Sequence, residues 1–116
     1  MLLEAALGAL GFARKAGQCI TGADKVNNMI RTGHALAVLH ATDGSGDGLR
    51  KLKQAVHAAG LEGRQVQVWR IFSNAQMNMA LGASNVIHAA LNTGGAARNC
   101  ASRVAELANY REMEPS

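Results

Sequence analysis

The densest cluster of residues suited to nucleotide chemistry is Gly44-Ser45-Gly46-Asp47-Gly48. It follows the apolar run Ala35–His40 and precedes a helical pattern, where a dinucleotide loop would lie. Such a loop needs G-x-G-x-x-G, because its glycines separately allow the tight turn, close approach of the pyrophosphate, and packing of helix on strand. Here the third glycine comes one residue early, and Leu49 occupies its place. No GK[ST] follows. The stretch reads as a loop in which Asp43 or Ser45 helps cap the next helix.

Other catalytic constellations are absent from the sequence. His34, His40, His57 and His88 form no HxxxH or HExxH spacing, so no metal site is expected. No paired carboxylates stand out in the central loops, and no serine sits in a G-x-S-x-G elbow. Cys19 and Cys100 form no CxxC pair and read as packed thiols suited to a reducing cytosol. Thr93-Gly94-Gly95-Ala96-Ala97-Arg98 could hold an anion at a helix start, but the simpler reading makes Asn92 or Thr93 an N-cap. No enzyme activity and no cofactor are expected.

The basic residues are more informative. Lys and Arg number 12 against 8 Asp and Glu, a net charge of +4. Two of the acids, Glu112 and Glu114, lie in the last five residues, so the body is more basic than the total. A basic body suits a polyanion. Arg14 and Lys15 end one helical pattern, Lys25 and Arg31 lie on a second, and Arg50, Lys51 and Lys53 start a third. Such helix ends can share a rim and meet phosphates. Aromatic residues are only 3% of the chain, which argues against readers that stack bases on a sheet.

The elements that would position these groups follow from periodicity. Leu3, Ala6, Leu7, Leu10, Phe12 and Ala13 form an apolar helical face that Gly17 stops. This opening stretch is too short to span a bilayer. Gln18–Thr21 is a strand. Ala23–Arg31 is a helix with Val26, Met29 and Ile30 on one side. Ala35–His40 is a central strand, and a helix with Leu49, Leu52 and Val56 turned inward follows the glycine loop. Val66, Val68, Trp69 and Ile71 mark a third strand. Ser73 caps a short helix through Leu81, Val86–Leu91 is a fourth strand, and a last helix runs to about Tyr110. Alternation at this spacing predicts one three-layer α/β/α domain over residues 1–111, with 112–116 a polar, frayed tail. The apolar start Met1-Leu2-Leu3 fits a cut from a longer protein.

Three segments in order carry a family likeness: Leu7–Gly17 (LGALGFARKAG) followed by Thr21-Gly22, Ala37–Asp43 (AVLHATD), and Ala80–Leu91 (ALGASNVIHAAL). Over roughly Leu3–Tyr110 the chain resembles the L-seven-Ae/L-thirty-e ribosomal-protein superfamily. It is most similar to the bacterial YlxQ-type members, which can be fused to or associated with a YlxR-type domain. The resemblance implies an L-thirty-e-like α/β/α sandwich with a four-stranded mixed sheet. It further implies a cytoplasmic, non-catalytic module that binds structured RNA, kink-turn or ribosomal, in translation. Gly22 matches the family glycine that lets RNA approach the backbone, and Ala23 follows it. The family's Asn-Glu pair maps onto Asp24 and Lys25, and its lysine onto Asn28, so three polar positions differ. Gly82, Asn85 and Val86 belong to the second RNA-contacting loop, Gly82–Ile87, where Val86 and Ile87 would pack on an extruded nucleotide. Arg14, Lys15 and Arg31 would neutralise phosphates. The alternative is a protein-interaction domain that kept the fold and lost RNA binding.

Overall fold

The computed structural model describes residues 1–113. The order is α1 (Leu2–Lys15), β1 (Cys19–Thr21), α2 (Ala23–Arg31), β2 (Ala37–His40), α3 (Gly46–Leu61), β3 (Gln67–Trp69), α4 (Asn74–Leu81), β4 (His88–Leu91) and α5 (Gly95–Met113). The expected alternation is therefore observed. The strands are shorter than their apolar runs: Val86 and Ile87 precede β4, and Ile71 follows β3. The last helix includes Glu112 and Met113, and the remainder of the polar tail lies outside the described residues.

The sheet order is β1-β4-β2-β3. β4 is antiparallel to both of its neighbours, and β2 and β3 are parallel. Strands alternate their side chains between faces, which divides the core in two. Ala37, Leu39, Ala89 and Leu91 pack against α1, α4 and α5 with Leu10, Phe72, Met77 and Val104. Val38 and Ala90 pack against α2 and α3 with Val26, Ile30 and Leu52. Both faces of β2 and β4 are thus covered, which is why these strands read as unbroken apolar runs. Cys19 and Cys100 are buried free thiols in the first cluster. Burial pushes them up to about 11 and about 12, so both stay protonated and unreactive.

Several caps come from unexpected places. Ser45 caps α3 by accepting from the Gly48 amide, and Ser73 forms a capping box with Gln76 on α4. Asp43, however, serves α4, accepting from the Asn74 amide at 2.8 Å. At α5, Asn92 Oδ1 accepts from Gly94, but the helical amide of Ala97 donates to Gln18 Oε1 at 2.9 Å. A residue 79 positions away caps this helix, in place of the local Asn92 or Thr93 expected from sequence. Phe12 also departs from expectation. It lies 64% exposed, because Ala6, Ala9, Leu10 and Ala13 form the buried side of α1.

Gly11 sets how closely α1 meets α4. A Cβ there would lie 2.8 Å from the Ala80 carbonyl oxygen, whereas one at Gly8 would meet nothing within 4 Å. Gly11→Val should therefore destabilise the fold by about 1–3 kcal/mol through overpacking. Gly8→Ala should stabilise it by about 0.5–1 kcal/mol through helix propensity. Urea unfolding of both variants checks the pair, and equal effects would rule out the close crossing as the cause.

Candidate nucleic-acid interface

β1, β2 and β3 all run in one direction, so the chain leaves them at the same sheet edge to enter α2, α3 and α4. β4 enters from that edge. In open α/β sheets, ligands collect at the carboxyl ends of the strands. The rim here comprises Gly22, the Ala41–Ser45 loop, Arg70–Ser73 and the residues before His88.

The three helix starts on this rim differ in their chemistry. Serine side chains close α3 and α4, as described above. α2 has Gly22 as its N-cap, at φ 100° and ψ 140°, with no side-chain cap. A side chain at this φ would be strained. Gly22 itself is held in place: its amide donates to the His88 carbonyl at 3.2 Å, and its carbonyl accepts from Val26 at 2.9 Å. The first-turn amides of α2 have no intrahelical acceptor and, together with the helix dipole, favour an anion. Ala23, Asp24 and Lys25 are exposed there. Lys25 adds attraction for phosphate, and Asp24 opposes it.

Asn28 and Arg31 stand further along α2. Asn28 Oδ1 accepts from Arg31 Nη2 at 2.9 Å, so this amide side chain is already engaged. Lys25 and Asn28 flank a groove with Ile20, Met29, Asn92 and Thr93. Arg31 lines a different one between α2 and α3, where Arg64 donates to its carbonyl at 2.9 Å. At 1.5 Å per residue, Arg31 is about 12 Å along the axis from Ala23. The shared rim expected for the bases is therefore corrected: Arg31 belongs to the far end of its helix.

The Gly82–Ile87 loop folds back along α4. Gly82 ends the helix in the left-handed region at φ 60°, and Asn85 has φ 56°. Asn78 Oδ1 accepts from the Val86 amide and Asn74 Nδ2 donates to its carbonyl, both at 2.8 Å. The Val86 side chain is only 4% exposed and belongs to the core. This corrects the expectation that it packs on a nucleotide: the two asparagines clamp its backbone and turn its side chain inward. Ile87 remains half-buried. Arg14 and Lys15 meet this loop at Gly82, in a groove between α1 and α4 on the sheet face opposite α2.

The glycine loop is packed. At Gly44 a Cβ would lie 2.6 Å from the His40 ring and 2.8 Å from Ile87. Gly44 therefore makes room for protein side chains, and α3 has already begun at Gly46. Arg50 and Lys51 pair with Asp47 at 2.6 and 3.5 Å, which offsets part of the positive charge at this helix start.

The sequence places His40 and His88 at strand ends but does not pair them. They are opposite each other in the β2–β4 register, with ring centroids 4.9 Å apart in an edge arrangement. Both His40 ring nitrogens and His88 Nδ1 are buried with no partner in hydrogen-bonding geometry among the described residues. Arg70, whose Nη2 donates to the Thr42 carbonyl at 2.7 Å, is likewise not marked by any sequence pattern. Long-range pairing of this kind leaves no local sequence signal.

Burial lowers the His40 pKa, with the polar backbone of Ala41 opposing and the Arg70 charge adding to the effect. Burial and then His40 lower that of His88. Among the described residues, no group of three or more His, Cys, Asp or Glu could hold a metal ion. No helix among them is long and apolar enough to cross a membrane.

The chain matches no protein-family model and no curated protein. Among solved structures it is similar to a protein of unknown function from Bacillus halodurans C, with TM-score 0.75 and 20% identity over 86% of this chain and 96% of that one. It is also similar to the 15.5kD RNA binding protein of Giardia lamblia, with TM-score 0.69 and 20% identity over 93% and 88%. These likenesses establish the fold.

The histidine pair gives stability a pH dependence. With folded pKa values below the ordinary 6.5, the unfolded chain binds more protons as pH falls below 6.5. The stabilisation is then complete above 6.5 and declines under acid conditions. Chemical denaturation between pH 7 and pH 5 should show this loss, and His40→Gln should flatten it. An unchanged slope in that variant would exclude His40 as a source.

Proposed function

We propose that this chain is a non-catalytic RNA-binding module for structured RNA, kink-turn or ribosomal, acting in translation in the cytoplasm. Association with a YlxR-type domain is part of the same reading. The observation that carries it is the α2 start: a positive-φ glycine, open first-turn amides and Lys25 on an exposed rim. The arrangement suits a phosphate brought close to backbone. The Giardia lamblia relative, named as an RNA binding protein, aligns over 93% of the chain and supports the same choice. Gly22, Ala23, Asp24 and Lys25 would face one strand of the RNA. Gly82 and Asn85 would flank it, and Val86 would act only by holding the loop. Arg14 and Lys15 would supply phosphate contacts on a second face, with Asn28 and Arg31 peripheral.

One observation favours the protein-interaction alternative. Asp24 places a negative charge where phosphate would sit, and Asn28 is committed to Arg31. A titration of a kink-turn RNA and an unkinked duplex at two salt concentrations separates the readings. Tighter, salt-sensitive binding of the kinked RNA is expected. Lys25→Ala should weaken it and reduce the salt slope by about one unit, and Asp24→Asn should strengthen it. Absence of binding to either RNA at low salt would reject the RNA reading and leave the protein-interaction one.

A further inference from the structure

The groove between α1 and α4 combines exposed apolar side chains with two cations. Its volume is about 600 Å³, within the range of small-ligand sites. α1 contributes Phe12 and α4 contributes Met79, and these are 64% and 86% exposed. Arg14 and Lys15 stand at its edge, and no carboxylate among the described residues lines it. Neither cation has an ion-pair partner among the described residues, so both charges are available to a ligand. Phe12 and Lys15 are three residues apart, which puts them on one side of α1. Gly8 leaves the space beside them open.

We propose that this groove is a second RNA contact, taking an unpaired base on the Phe12 ring with its phosphate at Arg14 and Lys15. It rests on the RNA-binding reading above and adds a surface on the sheet face opposite α2. An exposed aromatic ring beside unpaired cations offers both contacts that a single-stranded nucleotide needs, a flat apolar face and a positive charge. The groove also adjoins Gly82, the start of the loop that returns to the rim. An RNA seated at Gly22 could thus extend an unpaired segment around the sheet edge. The charge favours a polyanion over an apolar protein segment. The exposed apolar surface is centred on two side chains, small against the roughly 800 Å² per partner of a standard protein interface.

The test uses fluorescence anisotropy with labelled oligoadenylate and, separately, labelled kink-turn RNA. Phe12→Ala should weaken oligoadenylate binding by about 5- to 150-fold, the range for loss of one stacked base. Phe12→Tyr should retain it. Because Phe12 is exposed, the thermal midpoint of Phe12→Ala should stay at the wild-type value. Arg14→Ala with Lys15→Ala should lower the salt slope by about 1.4, at roughly 0.7 per phosphate contact. Lys25→Ala should weaken the kinked RNA and leave oligoadenylate unchanged. Equal oligoadenylate affinity for Phe12→Ala and wild type would overturn the proposal while leaving the Gly22 rim intact. So would Phe12-dependent binding of an acidic amphipathic peptide without binding of oligoadenylate. Phe12-dependent oligoadenylate binding with no affinity for the kinked RNA would reject the rim and keep the groove.

Discussion

The placement of β4 between β1 and β2 is the constraint on which the rest of the molecule depends. The pairing of His88–Leu91 with Ala37–His40 on one side and with Cys19–Thr21 on the other makes β4 a central strand with both faces buried. Its amide and carbonyl groups find partners on both edges, so Ala89, Ala90 and Leu91 can be buried on both faces. That requirement brings α1, α4 and α5 to one face and α2 and α3 to the other. It also sets the polarity of the rim. With β4 reversed, the remaining strands run together, and three helices begin at one sheet edge.

The functional asymmetry of that edge arises from how each helix start is satisfied. Ser45, Ser73, Gln76 and Asp43 use side chains to occupy the amides of α3 and α4. Gly22 has no side chain, so α2 remains open to an external acceptor. Its unusual φ is maintained from below by the His88 carbonyl, which ties the exposed glycine to the central strand. The same strand end contributes the half-buried His88, which faces the buried His40 of β2, so the rim and the acid-sensitive part of the fold share one foundation.

The two faces of the sheet have separate electrostatic characters. On the α2 side, Asp24 sets a negative charge beside Lys25, and Asn28 holds the Arg31 guanidinium in a hydrogen bond. On the α1–α4 side, Arg14 and Lys15 remain unpaired among the described residues beside exposed apolar side chains. Gly11 makes the second surface possible by letting α1 and α4 close at their base, while Gly8 leaves it open above. Loop Gly82–Ile87 connects this region to the rim, and its clamp by Asn74 and Asn78 makes it part of the fold.

The element order was legible in the sequence, because helical and alternating apolar patterns and a local stop such as Gly17 act over a few residues. Ser45 and Ser73 were legible as caps for the same reason. The sequence also marked Gly22 and the basic helix ends as candidates. Which of them share a surface depends on how the helices pack on the sheet. Arg31 fell to the far end of α2, Arg14 and Lys15 to the opposite sheet face, and Val86 to the core. Tertiary packing also decided contacts between distant residues: Gln18 on α5, Asp43 on α4, and His40 on His88. Phe12 lies outside the core because a helix with small alanines at its buried face needs no aromatic there to fill it. Periodicity identifies a helix's apolar residues, but only the packing of its neighbours decides which are covered.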